Sequence, residues 1–215
     1  MEEGFSNQSL KTFVSQLGSD LPAPGGGAAA GVCGALGAAL GRMVAELTRG
    51  RKKYAEFEPD AMRASEALQP LIDRFLMLAE ADQDAYNGYM AALALPKETE
   101  DDRLRRSTAL GLAVRTATEV PCSVLQTAND AIDVIESLVG RSNATCMGDL
   151  AAGAASLRAA GKTAWLNILA NLPYYNDGKE TRDVYRKQQA ALDRLTEKCD
   201  GVYEEIEYRL EKKLR

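Results

Sequence analysis

An all-α fold, a bundle of long helices, is what this sequence predicts, and three observations carry the prediction. Apolar residues make up 46% of the 215-residue chain but aromatics only 6%, so much of the apolar content is Ala and Leu. Those are helix formers, whereas the β-branched and aromatic residues that strands favour are scarce. Apolar positions recur three and four apart over long stretches, the spacing of one helix face. Helix breakers fall between those stretches, at Pro22–Gly27, Pro96, Gly140 and Pro173.

In chain order, Leu10, Phe13, Val14 and Leu17 place a short helix over Ser9–Leu17. Leu21 to Gly27, rich in Pro and Gly, cannot be helical before its glycines. A helix from Gly27 to Arg49 follows, and Arg51-Lys52-Lys53-Tyr54 closes it in a basic turn after Gly50. The next helix runs from Pro59 to Leu95, bent at Pro70. Pro96 starts another, with Glu98, Glu100, Asp101 and Asp102 at the end where a helix dipole favours acids. Pro121 breaks or kinks that helix, which resumes to about Leu138, and Gly140–Asn143 is a loop. A helix spans Asp149 to Leu172, and the last runs from Lys179 to the C-terminus. Its stripe is Leu192, Leu195, Cys199, Val202, Ile206 and Leu210. No repeat or linker divides residues 1–215, so one helical domain is expected. Ala30, Gly34, Gly37 and Gly41 strip one face of its bulk, which suits a central helix or a subunit interface. The expectation is a homodimer packed across helix faces.

Composition narrows the function. Net charge is −5 with basic and acidic residues interleaved, which argues against nucleic acid or an anionic membrane as partner. The acidic start Met1-Glu2-Glu3-Gly4 is no signal peptide, and Leu21–Gly41 reads as too weakly apolar to span a bilayer. Cys33, Cys122, Cys146 and Cys199 lack ligand spacing and read as free thiols of a reducing, cytoplasmic compartment. The chain has no His, so the commonest general acid/base and metal ligand is missing and no di-iron Glu-x-x-His pair can form. No metal site is expected. Catalysis would rest on Asp, Glu, Lys, Tyr, Cys or backbone groups.

Asp82 lies at the centre of an apolar stripe, flanked on the same face by Phe75, Ala79, Tyr86 and Tyr89, while Asp84 points the opposite way. A carboxylate there needs a partner or a raised pKa, and the residues alone leave it as either a general acid/base or a structural carboxylate. Asp149 and Asn167, five turns apart, share a helix face with Gly153, Ser156, Ala160 and Ala164 between them. An Asp at a helix start, as Asp149 is, is more often a cap than a catalyst, and the bland reading of Asn167 is a satisfied core amide. The basic turn Lys52-Lys53-Tyr54 is either an anion site or a solvated helix end. Pro24-Gly25-Gly26-Gly27 ahead of a helix offers bare backbone N–H groups beside a positive dipole end, but lacks the Lys of a Walker loop. Cys146 has no His base and reads as core.

In order and spacing these segments resemble the cyclodeaminase domain of the formiminotransferase-cyclodeaminase family, which includes methenyltetrahydrofolate cyclohydrolases. The carrying motifs are Pro22-Ala23-Pro24-Gly25-Gly26-Gly27, Thr48-x-Gly50-Arg51-Lys52-Lys53-Tyr54, Ala81-Asp82-x-Asp84-Ala85-Tyr86, Leu95-Pro96-Lys97-x-Thr99, Asn143 with Asp149-Leu150, and Leu166-Asn167. The resemblance covers about Leu10 to the C-terminus, nearly the whole chain. Gly148 and Cys146-Met147 depart from the family's usual residues. The resemblance implies a helical dimer with its active site in a groove between helices. The substrate would be a tetrahydrofolate derivative, 5-formimino- or 5,10-methenyl-tetrahydrofolate, with no added cofactor. It implies Asp82 as acid/base, with Lys52 modulating it or holding the folate glutamate carboxylates. Pro24–Gly27 (with Gly25 and Gly26) and Asn143 would lie against the pterin or the reacting carbon, Lys53 and Tyr54 beside them, and Asp149 and Asn167 would orient the substrate. A silent helical scaffold or folate-binding protein is the competing expectation; a metal-carboxylate protein is disfavoured.

Overall fold

The structure is a computed structural model describing residues 8–175 and 177–214, so the acidic start of the chain and its last residue lie outside it. Six helices follow in order: α1 (Leu10–Leu17), α2 (Gly26–Thr48), α3 (Glu58–Leu93), α4 (Glu100–Ser137), α5 (Met147–Asn171) and α6 (Gly178–Glu211). Short 3-10 turns cover Lys52–Phe57, Leu172–Tyr174 and Lys212–Leu214, and no strand occurs among the described residues.

Helix ends account for most departures from the sequence reading. α4 starts at Glu100 rather than Pro96, because Thr99 accepts from the Asp102 N–H and Asp102 accepts from the Thr99 N–H. That reciprocal box outcompetes the Pro as a start signal. Pro70 and Pro121 sit inside continuous helices. α5 begins at Met147, so Asp149 lies in its first turn and is not the cap.

α2 packs on α3 and α5, while α4 touches all of α2, α3, α5 and α6. A methyl at Gly34 would overlap the Phe75 ring of α3, and one at Gly37 would lie 2.8 Å from the Gly153 carbonyl of α5. The bare face of α2 is therefore consumed inside the subunit. Phe75, Leu68, Leu125, Ile132, Ile135, Leu157, Ile168 and Leu195 form the fully buried centre, drawn from α3, α4, α5 and α6. In α6 the stripe holds through Ile206, but Leu210 is exposed.

By length and hydropathy alone α2 would pass for a membrane span, with mean hydropathy 1.5 over its most apolar window, which is higher than the Gly and Pro content suggests. Its burial, 56% of that window, identifies it as the central helix of the bundle. The outward face is another matter. Ala29, Cys33, Leu36, Leu40, Met43 and Leu47 follow one another at intervals of four and three, a coiled-coil seam. Leu36 is 56% exposed, and Met43 and Leu47 are exposed as well.

Candidate active site

α2 has no side-chain cap of its own at Gly25. Asp82, from the middle of α3, supplies one: its Oδ2 accepts from the Ala28 N–H at 3.1 Å. The helix phase that put Asp82 inward and Asp84 outward is what the structure shows, with Asp82 half-buried and Asp84 exposed. Gly27 is where the two helices meet, since a methyl there would overlap the Asp82 carboxylate. At Gly25 nothing lies within 4 Å, and at Gly26 the nearest neighbour is the Asn167 amide. The N–H groups of Gly26 and Gly27 have no acceptor among the described residues. They face a cleft of about 350 Å³.

Two opposed effects act on Asp82. Burial raises its pKa, and the Ala28 N–H lowers it; burial is the larger, so the carboxyl titrates above its ordinary value. Among the described residues lining the cleft it is the sole carboxylate, and no cation stands with it. Asn167 and Asn171 of α5 reach the same cleft, with Nδ2 of each tied to a backbone carbonyl, of Thr163 and Ala117, at 2.9 Å. No hydrogen bond to either Oδ1 is made among the described residues. Pro22 joins the lining, beside a cis Ala23–Pro24 peptide.

The cleft also holds three residues that were not singled out as ligands: Tyr86, Tyr89 and Tyr174. Tyr86 and Tyr89 follow Asp82 by one and two turns on the same face, so their spacing carried the signal. Tyr174 lies in the turn after α5, where no periodicity points to it.

The other expected site residues gather elsewhere. Lys52 and Lys53 are exposed beyond the far end of α2, with Lys53 Nζ 5.3 Å from the Tyr54 ring centroid. Buried Tyr54 accepts from the Ala144 N–H at 3.2 Å. Asn143 closes the end of α2: its Nδ2 donates to the Leu47 carbonyl and its N–H to Thr48 Oγ1. Asp149 sits nearby in the first turn of α5. From Gly27 to Leu47 the helix rises about 30 Å, so within one subunit this group does not meet Asp82. Sequence separation carries no sign of that distance. Cys146 is buried, and burial raises its thiol pKa, which agrees with a core residue. Among the described residues no three His, Cys, Asp or Glu side chains converge as a metal site would need.

A carboxyl of raised pKa at a helix N-terminus, with bare backbone donors and three tyrosines around it, makes up the cleft of this all-helical protein. The formiminotransferase-cyclodeaminase family matches residues 9–190, and the chain belongs to that family. A methenyltetrahydrofolate cyclohydrolase of Methylorubrum extorquens is 30% identical over 200 residues, 93% of this chain and 96% of that protein. The formimidoyltransferase-cyclodeaminase of Gallus gallus is 33% identical over 178 residues, covering 83% of this chain but only 33% of the bird protein. The chain thus spans about a third of that larger relative. The crystal structure of formiminotetrahydrofolate cyclodeaminase from Thermotoga maritima superposes with a TM-score of 0.81 at 28% identity, over 98% of this chain and 99% of that one.

Proposed function

We propose that this chain is a folate one-carbon enzyme acting at the bridge between N5 and N10 of tetrahydrofolate. It would cyclise 5-formimino-tetrahydrofolate to the 5,10-methenyl form with loss of ammonia, hydrolyse the 5,10-methenyl form, or do both. The observation that carries the reading is Asp82 held against the bare N-terminus of α2 in a cleft with no other carboxylate. In cyclodeamination N10 attacks the formimino carbon. Asp82, as carboxylate, takes the N10 proton and returns it to the departing nitrogen, which gains one more proton from solvent and leaves as ammonia. The ring closes as the methenyl cation, whose charge the carboxylate offsets. In hydrolysis water adds to the same carbon and Asp82 takes its proton. Asp82 returns that proton to N5 as the N5–carbon bond breaks, and the remaining hydroxyl proton goes to solvent as the formyl group forms on N10. A carboxyl whose pKa burial raises suits one group that both accepts and returns a proton. The Oδ1 atoms of Asn167 and Asn171 and the N–H groups of Gly26 and Gly27 supply acceptors and donors for the pterin edge.

The site is complete, in this proposal, only in a homodimer. The exposed seam on α2 is self-complementary and suits a second copy packed antiparallel across a two-fold axis. With the axis at the middle of the seam, Lys52 of the partner subunit comes level with Pro24. Its charge then acts on Asp82, and Lys53, Tyr54 and Asn143 frame the cleft from the partner side. Four free cysteines suit a reducing compartment, and we place the protein in the cytoplasm. Incubating purified protein with 5-formimino- and with 5,10-methenyl-tetrahydrofolate tests the reading. Ammonia release or 10-formyl product above the uncatalysed rate is expected; binding without turnover of either would mark a silent folate-binding protein.

A further inference from the structure

Two apolar surfaces flank the seam of α2, at diagonally opposite corners of the face that carries it. α1 supplies the first. Phe13, its one buried residue, packs with Ala28 of α2 and Ala79 of α3, which sets α1 beside the first turns of α2. Leu10, Val14 and Leu17 of α1, with Leu21 just beyond it, recur at intervals of four, three and four and are all exposed, Leu10 by 71%. The second surface is a groove of about 690 Å³ between the start of α5 and the end of α6. Gly148 and Ala152 line one side of it, and Tyr203, Leu210 and Leu214 the other. Leu210 belongs to the stripe that the sequence placed in the core, yet it opens on this groove.

Helix phase fixes the two corners. Counted from Ala29 of the seam, Ala28 lies about 100° to one side and Gly37 about 80° to the other. α1 and α5 therefore occupy opposite flanks of α2. A methyl at Gly37 would meet Gly153, and one at Gly26 would meet Asn167, so α5 runs antiparallel to α2. Its first turns lie beside the C-terminal half of α2. A two-fold axis normal to the middle of the seam exchanges both the ends and the flanks of α2. It carries α1 of one subunit towards the α5/α6 groove of the other. Charge agrees with that pairing. Lys11 is the one charged residue of α1, while Glu207 and Glu211 line the groove. None of these three forms an ion pair among the described residues. The groove's own cation, Lys213, donates to the Ala144 carbonyl at 3.4 Å.

We propose that α1 docks, by its exposed apolar side, in the α5/α6 groove of the partner subunit. Each subunit thereby steadies the other's cleft, because α1 runs on into Pro22, Ala23 and Gly25–Gly27, which line it. This inference rests on the antiparallel dimer of the reading above.

Val14→Cys and Leu210→Cys, both at exposed positions, test it in the whole protein treated with a short bifunctional maleimide. The double variant should give a covalent dimer on a denaturing gel, and the wild type and each single variant should not. Lys11→Glu should raise the dimer Kd about fivefold, the scale of exposed charge pairs counted twice. Adding Glu207→Lys with Glu211→Lys should restore it. A double variant that sediments as a dimer but yields no covalent product would overturn the docking and leave the α2 dimer and the folate reading intact. So would a Lys11→Glu dimer as tight as the wild type. A monomeric wild type would sink the docking and the α2 dimer together, and the folate turnover assay decides the activity separately.

Discussion

Asp82 caps one helix from the middle of another, so its protonation state bears on the stability of the fold. A buried carboxyl with a raised pKa contributes stability that is fully present below its unfolded value, near 3.8, and lost as pH rises through the folded value. At neutral pH the ionised group is thus a burden on the fold. Asn keeps an oxygen to accept from Ala28 but carries no charge. Thermal melts should show Asp82→Asn more stable than wild type at pH 7, the advantage vanishing near pH 4; a variant less stable at every pH would mean that burial does not dominate. Gly27→Ala should push the carboxylate out of place and cost about 10²-fold in kcat, the scale of an ångström's misplacement. Gly25→Ala, with open space around it, should cost far less. If steady-state rates of the two variants are alike, the steric account of Gly27 fails. The inward direction of Asp82 was legible from periodicity alone. The trans cap was not, because an N–H partner 54 residues away leaves no mark in the sequence.

On the scale of elements, α2 is a poor helix by propensity held by its neighbours. Its glycines each forgo about 0.5–1 kcal/mol relative to Ala, yet adding the methyl at Gly34 would drive it into the Phe75 ring. Overpacking of that kind costs roughly 1–3 kcal/mol, so Gly34→Ala should lower the denaturation midpoint. Gly201→Ala in exposed α6, with nothing within 4 Å, should raise it by the propensity gain. Urea titrations of both variants separate packing from propensity, and a stabilised Gly34→Ala would show that α2 and α3 are not in close contact. The stripped face of α2 was readable as Gly and Ala at helical spacing. The start of α4 was misread at Pro96, because a reciprocal cap at Thr99 decides it and Pro merely precedes.

The whole molecule leaves the α2 seam without a partner, and the expected site residues divide between the two ends of that helix. The proposed antiparallel dimer would account for both. Sedimentation should find the wild type dimeric and a Leu36→Glu, Leu40→Glu double variant monomeric, helical and inactive. A monomeric, active wild type would return Lys52, Lys53, Tyr54 and Asn143 to structural roles. The order of motifs sufficed to indicate family and helical class, whereas the grouping of site residues depended on distances across the bundle.

The central claim is that Asp82 moves the proton. Turnover of 5-formimino- and 5,10-methenyl-tetrahydrofolate by wild type and Asp82→Asn, each confirmed folded and dimeric, tests it most directly. The account predicts a loss of about 10²–10⁴-fold in kcat on every substrate the wild type accepts, the usual contribution of a positioned acid/base group, with melting unchanged or improved at pH 7. An Asp82→Asn enzyme that turns over as the wild type does would contradict it and leave the carboxylate as a helix cap alone.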